Sequence, residues 1–122
     1  MTVAVIGSRG LRLDDLSAYL PAETTEIISG GAMGIDTSAR IYARTHQLPF
    51  REYLPEYEKY GRSAPLKRNI TIIKNADLVL AFWDGCSPGT AYVIRKCREL
   101  HVPCRVFLAK KQPPHGSPCE GR

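Results

Sequence analysis

The stretch that decides the fold is Ile-Ile-Ser-Gly-Gly-Ala-Met-Gly-Ile-Asp, residues 27–36. Its first residues end a short apolar run, which predicts a buried strand, and residues 36–46 are compatible with a helix. Glycines between the two elements permit positive φ and a close approach of a ligand to the backbone. Because a helix start favours negative groups, the segment predicts either a plain strand-to-helix turn or a cradle for an anion.

A second segment of the same kind supports the anion cradle. A predicted strand at residues 77–83 runs into Asp-Gly-Cys-Ser-Pro-Gly-Thr, residues 84–90. Ser87 can cap a helix that Pro88 begins and that reaches about residue 101. Two glycine turns of this kind in one chain favour a ligand more than either turn does alone.

A third loop, Gly-Ser-Arg-Gly at residues 7–10, follows a β-branched run at residues 2–6 that predicts a central strand. Its guanidinium, Arg9, has a planar fork that suits phosphate oxygens. A solvated arginine in an ordinary loop is the alternative interpretation. By itself the loop is a weak indication of a phosphate site, and its predicted position in the fold strengthens that indication.

Further predicted strands lie at residues 23–29, 48–54 and 104–108, and further helices at 13–20 and 64–75. This alternation predicts one α/β domain over residues 1–108, a three-layer Rossmann-like fold with a parallel sheet of about five strands in the order 3-2-1-4-5. Proline and charges place the third strand at an edge. Residues 109–122 are polar and proline-rich, and we expect a flexible tail.

This strand order predicts where a ligand would bind. Open parallel sheets bind ligands beyond the carboxyl ends of the strands, at the point where the strand order reverses. Here the reversal falls between the first and fourth strands, and the glycine turn after the second strand is adjacent. The three loops are therefore expected to converge on one crevice.

Composition excludes several classes of function. Hydrophobic residues make up 43% of the 122 residues, and no apolar run approaches the roughly 20 residues of a membrane span. The start of the chain lacks the features of a signal peptide, so we expect a cytoplasmic protein without a membrane partner. The net charge of +5 suits a small anionic ligand, and it is too weak and scattered to indicate a nucleic-acid surface by itself.

Common cofactor motifs are also missing. The four cysteines and three histidines show no zinc-like spacing, so we expect neither a metal site nor a cofactor. Gly-x-Gly-x-x-Gly and Gly-Lys-Ser/Thr are absent, which argues against ordinary NAD binding and against a P-loop NTPase.

Four segments carry a resemblance to a known family: Val-Ile-Gly-Ser-Arg at 5–9, Ser-Gly-Gly-Ala-Met-Gly-Ile-Asp at 29–36, Arg-Asn at 68–69, and Asp77 through the Asp-Gly-Cys-Ser-Pro-Gly-Thr of 84–90. Over about residues 3–108 the chain resembles the SLOG superfamily, which groups the DNA-processing protein A domain with the Lonely Guy phosphoribohydrolases. Its YspA-like branch is the most similar. The resemblance implies a nucleotide or nucleotide-derived ligand with its phosphate on the glycine turns. Relatives commonly pair through the helix that corresponds to 64–75, which implies a homo-oligomer.

One departure from the resemblance concerns catalysis. Lonely Guy enzymes carry Pro-Gly-Gly-x-Gly-Thr-x-x-Glu, and the position of that glutamate is Val93 here. A valine can neither donate a proton nor stabilise an oxocarbenium charge, so this hydrolase activity is disfavoured. We expect a sensor-type binding domain for a nucleotide or a nucleotide-derived phosphate ligand.

Two alternatives stay open. The first is a nucleotide hydrolase of phosphoribohydrolase type, with Asp36 or Asp84 as acid or base, and the second is a single-strand DNA-binding protein of DNA-processing type. Asp36 also has a plain interpretation, because a carboxylate in the first turn stabilises a helix. The predicted ligand-binding residues are Gly7, Ser8, Arg9, Gly30, Gly31, Gly34, Asp36, Arg68, Asn69, Asp84, Gly85, Ser87, Gly89 and Thr90.

Overall fold

The computed structural model describes residues 1–8, 10–11, 13, 15–30 and 34–108. Within these residues the strands are β1 (Thr2–Gly7), β2 (Glu26–Ser29), β3 (Phe50–Glu52), β4 (Leu78–Trp83) and β5 (Cys104–Leu108). The helices are α1 (Ile35–Thr45), α2 (Tyr57–Tyr60), α3 (Ala64–Lys74) and α4 (Pro88–Glu99), and a 3-10 turn, Gly61–Ser63, joins α2 to α3.

The five strands form one parallel sheet in the order β3-β2-β1-β4-β5. In the register, Val5 of β1 lies between Ser29 of β2 and Leu80 of β4. The α/β class, the strand order and the edge position of β3 are confirmed. Central strands of a parallel sheet are buried on both faces, which is why β1 and β4 were readable as continuous apolar runs.

Helices cover both faces of the sheet, giving the predicted three layers. Alternate side chains of a strand point to opposite faces. Val3 and Val5 pack with Ile35 and the α1 alanines on one face. Ala4 packs on the other face with Ile72 of α3 and with Val93 of α4. Val93 is 1% exposed, so the position where the resemblance has a catalytic glutamate belongs to the core in this chain.

Several local predictions were wrong. No helix is present in the described residues of 13–20, because the carboxylate of Asp15 accepts hydrogen bonds from the backbone N–H and the hydroxyl of Ser17 and forms a turn instead. The segment 55–63, interpreted as a loop, contains α2 and the 3-10 turn. Neither Ser63 nor Ser87 caps a helix through its side chain, since their hydroxyls donate to Tyr60 and Asp84. The predicted tail, residues 109–122, lies outside the described residues.

Candidate functional site

A cleft of about 390 Å³ lies at the carboxyl ends of β1 and β2, beside the first turn of α4. Its position matches the reversal of strand order between β1 and β4. The lining residues are Val5, Ile6, Gly7, Ser8, Ser29, Gly30, Ile35, Asp36, Arg68, Asn69, Ser87, Pro88, Gly89 and Thr90. The structure thus brings together residues from all three loops that the sequence singled out, with two residues of α3.

Two buried hydroxyls join β1 to the start of α4. Ser8 Oγ and Thr90 Oγ1 are 3.3 Å apart, and both side chains are almost fully buried. The N–H groups of Gly89 and Thr90 precede the first helical bond of α4, which runs from the Ala91 N–H to the Ser87 carbonyl (3.2 Å). The first N–H groups of a helix have no partner within the helix. This corner of the cleft therefore offers hydroxyl and amide donors to an anion.

Asp84 holds the loop before α4 rather than lining the cleft. Its Oδ1 accepts hydrogen bonds from the Cys86 N–H (3.0 Å) and the Ser87 N–H (2.8 Å), and its Oδ2 accepts one from the Ser87 hydroxyl (2.7 Å). Gly85, at φ +89°, lies in the same turn. These bonds set the direction in which Ser87 and the start of α4 enter the site.

Gly7 permits the close packing of β1 against α1. A Cβ atom on Gly7 would lie 2.2 Å from Cγ1 of Ile35, which is the first residue of α1. Only a residue without a side chain fits at this distance. The glycine therefore brings the start of α1, and with it Asp36, up to the carboxyl end of β1.

Arg68 is the cation of the cleft wall. Its Nε donates to Oδ1 of Asn69 (2.8 Å), and its Nη1 donates to the carbonyl oxygens of Gly30 and of Tyr53, the latter at 3.3 Å. Partial burial lowers the pKa of this guanidinium. Among the described residues, no carboxylate lies within 4.0 Å of it and Nη2 has no hydrogen-bond acceptor.

Asp36 and Glu52 form a carboxyl pair on Arg40, and the charge of Asp36 also acts to raise the pKa of Arg68. Nη2 of Arg40 is 3.3 Å from Oδ2 of Asp36 and 2.9 Å from Oε2 of Glu52, and the side chain of Asp36 is 7% exposed. The hydrogen bond with Asp36, partial burial and the charge of Asp36 raise the pKa of Glu52, while Arg40 acts in the opposite direction. Glu52 therefore keeps its proton to higher pH than an isolated glutamate would.

Glu52 and several residues that line the cleft were not among the site residues predicted from the sequence. Glu52 belongs to β3, and its neighbour in the register, Ser29, ends β2 at the cleft. The pairing of two parallel strands could have revealed this proximity. Ser29 ends a predicted strand at a glycine turn, and that position alone could have indicated a lining role.

Some predicted site residues are not part of the cleft wall. Gly34 precedes α1 at φ +92°, and like Asp84 and Gly85 it does not line the cleft. Arg9 and Gly31 lie outside the described residues. Their predicted roles stay predictions.

Two absences hold for the described part of the chain. It contains no group of three or more histidine, cysteine, aspartate or glutamate residues that could hold a metal ion. Over the same ranges, none of the helices has the length and apolar character that crossing a bilayer requires.

Comparison of the chain with protein-family models, with curated proteins and with solved structures found no match. The resemblance to the SLOG superfamily therefore stays a prediction from the quoted motifs.

Proposed function

We propose that the chain is a sensor-type module whose cleft binds a nucleotide or a nucleotide-derived phosphate ligand. The observation that carries this proposal is Arg68. It is a partly buried cation in the cleft wall, and within the described residues its charge is matched by carbonyl and amide oxygens and by no carboxylate within 4.0 Å. A bound phosphate would place a negative charge in direct contact with the guanidinium.

Further hydrogen-bond donors for the phosphate lie at the start of α4. The N–H groups of Gly89 and Thr90 are donors that fit phosphate oxygens, and so is one hydroxyl of the Ser8–Thr90 pair, since the other donates within the pair. Asp36 lines the same cleft and, as a carboxylate, would repel a phosphate. It suits a neutral hydroxyl of the ligand, such as a sugar hydroxyl, so the arrangement favours a sugar phosphate over inorganic phosphate.

A thermal-unfolding assay with AMP, ADP-ribose, adenosine and inorganic phosphate tests the proposal. A ligand that binds only the folded state raises the melting temperature. We expect AMP and ADP-ribose to raise it in the wild type and to lose this effect in Arg68→Met. Arg98→Met, which removes an exposed arginine from the far end of α4, should respond as the wild type does. A flat response of the wild type to every nucleotide would contradict the proposal.

A second candidate function is hydrolysis of the bound nucleotide, and the carboxyl pair of Asp36 and Glu52 favours it. A carboxyl group with a raised pKa, such as that of Glu52, can act as a general acid toward a leaving base. In this reaction the N-glycosidic bond breaks, water adds to the sugar carbon, and the base leaves with the proton. Of the two acids named from the sequence, Asp36 lines the cleft, whereas Asp84 is engaged in its own loop.

Chromatographic detection of free base released from nucleoside monophosphates tests the second candidate. Asp36→Asn should abolish the release, and Glu52→Gln should change its pH profile. Absence of free base with the wild type would end this candidate and leave the binding proposal untouched. Single-strand DNA binding, a homo-oligomer and a cytoplasmic location stay predictions.

A further inference from the structure

A second groove, of about 320 Å³, adjoins the cleft at Arg68. Its walls come from the loop after β3, from α2 and from α3. Arg68 lines both cavities and is the residue that their described linings share. A ligand that extends from the cleft past Arg68 would therefore reach this groove.

The lining of the groove combines cationic side chains, which suit an anion, with apolar side chains. Lys67 and Lys74 lie seven residues apart on α3, hence on one face of the helix and roughly 10 Å apart along it. Within the described part of the chain neither lysine makes a salt bridge. With Arg68 they set three cations against one carboxylate of the wall, Glu56. The net charge of the lining is positive.

Apolar and aromatic surface accompanies these cations. The ring of Tyr60 lines the groove with Nζ of Lys67 5.9 Å from its centroid, and Leu54 is 62% exposed in the same wall. Cations beside an exposed ring suit a ligand part that carries both a phosphate and a sugar or a base. A purely apolar ligand part would leave the ammonium groups without a counter-charge.

We propose that the ligand continues past Arg68 into this groove and that it is a nucleotide with a bridging diphosphate and a second sugar or nucleoside. This inference rests on the proposed function, since it places the first phosphate in the cleft. The second anionic group lies with Lys67 and Lys74. Nη2 of Arg68, which has no acceptor among the described residues, serves the bridge between the two phosphates.

Calorimetric titration with two probes, AMP and ADP-ribose, tests this inference. We expect the wild type to bind ADP-ribose about tenfold or more tightly than AMP, as charge-assisted hydrogen bonds to a second anionic group would give. The double variant Lys67→Ala/Lys74→Ala should lose this preference and keep its affinity for AMP. Both lysines are exposed, so the fold should persist, and circular dichroism checks it.

The control Arg98→Ala/Arg105→Ala removes the same charge from exposed positions that line neither cavity. It should keep the preference for ADP-ribose. Equal affinities of the wild type for the two probes, or a preference that survives loss of both lysines, would overturn the extended ligand while leaving the proposed function standing. A wild type that binds neither probe would overturn both. Equal loss of both probes in the lysine variant, with an intact fold, would also contradict a separate second groove.

Discussion

Nη1 of Arg68 donates a hydrogen bond to the carbonyl oxygen of Gly30, which follows the last residue of β2. The bond ties α3 to the glycine turn after β2, although the two residues are 38 positions apart. A Cβ atom on Gly30 would lie 3.2 Å from Nη1, which leaves little room for a side chain there. Among the described residues, the cation of the cleft is therefore held in place by carbonyl oxygens and the amide oxygen of Asn69, with no carboxylate within 4.0 Å.

Arg68→Lys tests whether the fork of the guanidinium is needed. A lysine keeps the charge, but its single ammonium cannot hold Gly30 and Asn69 and still present a planar pair of donors to a phosphate. We expect affinity for AMP to fall about tenfold or more, by the worth of one to two charge-assisted hydrogen bonds. Titration calorimetry measures the change, and Arg98→Lys is the control. Wild-type affinity in Arg68→Lys would mean that the guanidinium does not contact the phosphate.

Gly7→Ala should lower stability, whereas Gly89→Ala should not. The methyl group at residue 7 would clash with Ile35 at 2.2 Å, whereas at residue 89 it meets nothing within 4 Å. Overpacking predicts that Gly7→Ala lowers the free energy of unfolding by about 2 kcal/mol or more. Gly89→Ala, in the first turn of α4, should leave it unchanged or raise it by up to about 1 kcal/mol. Urea unfolding compares the two, and an unchanged Gly7→Ala would contradict the packing of α1 on β1.

Glu52→Gln should change how stability depends on pH. The pKa of Glu52 is raised above 4.5, so the folded state binds this proton more tightly than the unfolded chain. Its contribution is complete below pH 4.5 and is lost as the pH rises through the folded pKa. Glutamine does not titrate. The stability of the wild type relative to Glu52→Gln should therefore decrease with rising pH.

Glu99→Gln provides a control of opposite sign for this measurement. The hydrogen bond and the charge of Lys96 lower the pKa of Glu99, so its contribution is present above pH 4.5 and is lost at lower pH. Urea unfolding at several pH values between about 4 and 7 compares the three proteins. Parallel curves for the wild type and Glu52→Gln would contradict a raised pKa of Glu52 in the folded state.

Cys104 should react with an alkylating reagent before Cys97 does. Both thiols are free. The hydrogen bond between them lowers the pKa of Cys104 and, together with burial, raises that of Cys97. Because the thiolate is the nucleophile, iodoacetamide should label Cys104 first in the native protein, and mass spectrometry resolves the order. Both should react at similar rates in urea, and earlier labelling of native Cys97 would contradict the arrangement.

Most of the fold could be predicted from the sequence because the patterns that indicate its strands and helices are local. Buried parallel strands such as β4 appear as continuous apolar runs, and Pro88 marks the start of α4. The predicted helix at 13–20 failed since a side-chain turn at Asp15 competes with a helix, and propensity does not decide that competition.

The candidate site was only partly readable. The glycine loops could be placed at one edge from the strand order alone. The contact of Arg68 with Gly30 and the pairing of Asp36 with Glu52 depend on how side chains from different elements pack, and no local pattern encodes that. Both interactions involve the charged groups of the cleft. The electrostatics of the site could therefore be described only from the structure.

A titration of the ¹⁵N-labelled protein with AMP, followed by amide chemical shifts with adenosine as the control, tests the phosphate site most directly. We expect saturable shifts at Ser8, Gly30, Gly89 and Thr90 that adenosine does not reproduce, since the phosphate would accept hydrogen bonds at the start of α4 and lie beside Arg68. Shifts that are absent, or equal for AMP and adenosine, would contradict a phosphate in this cleft.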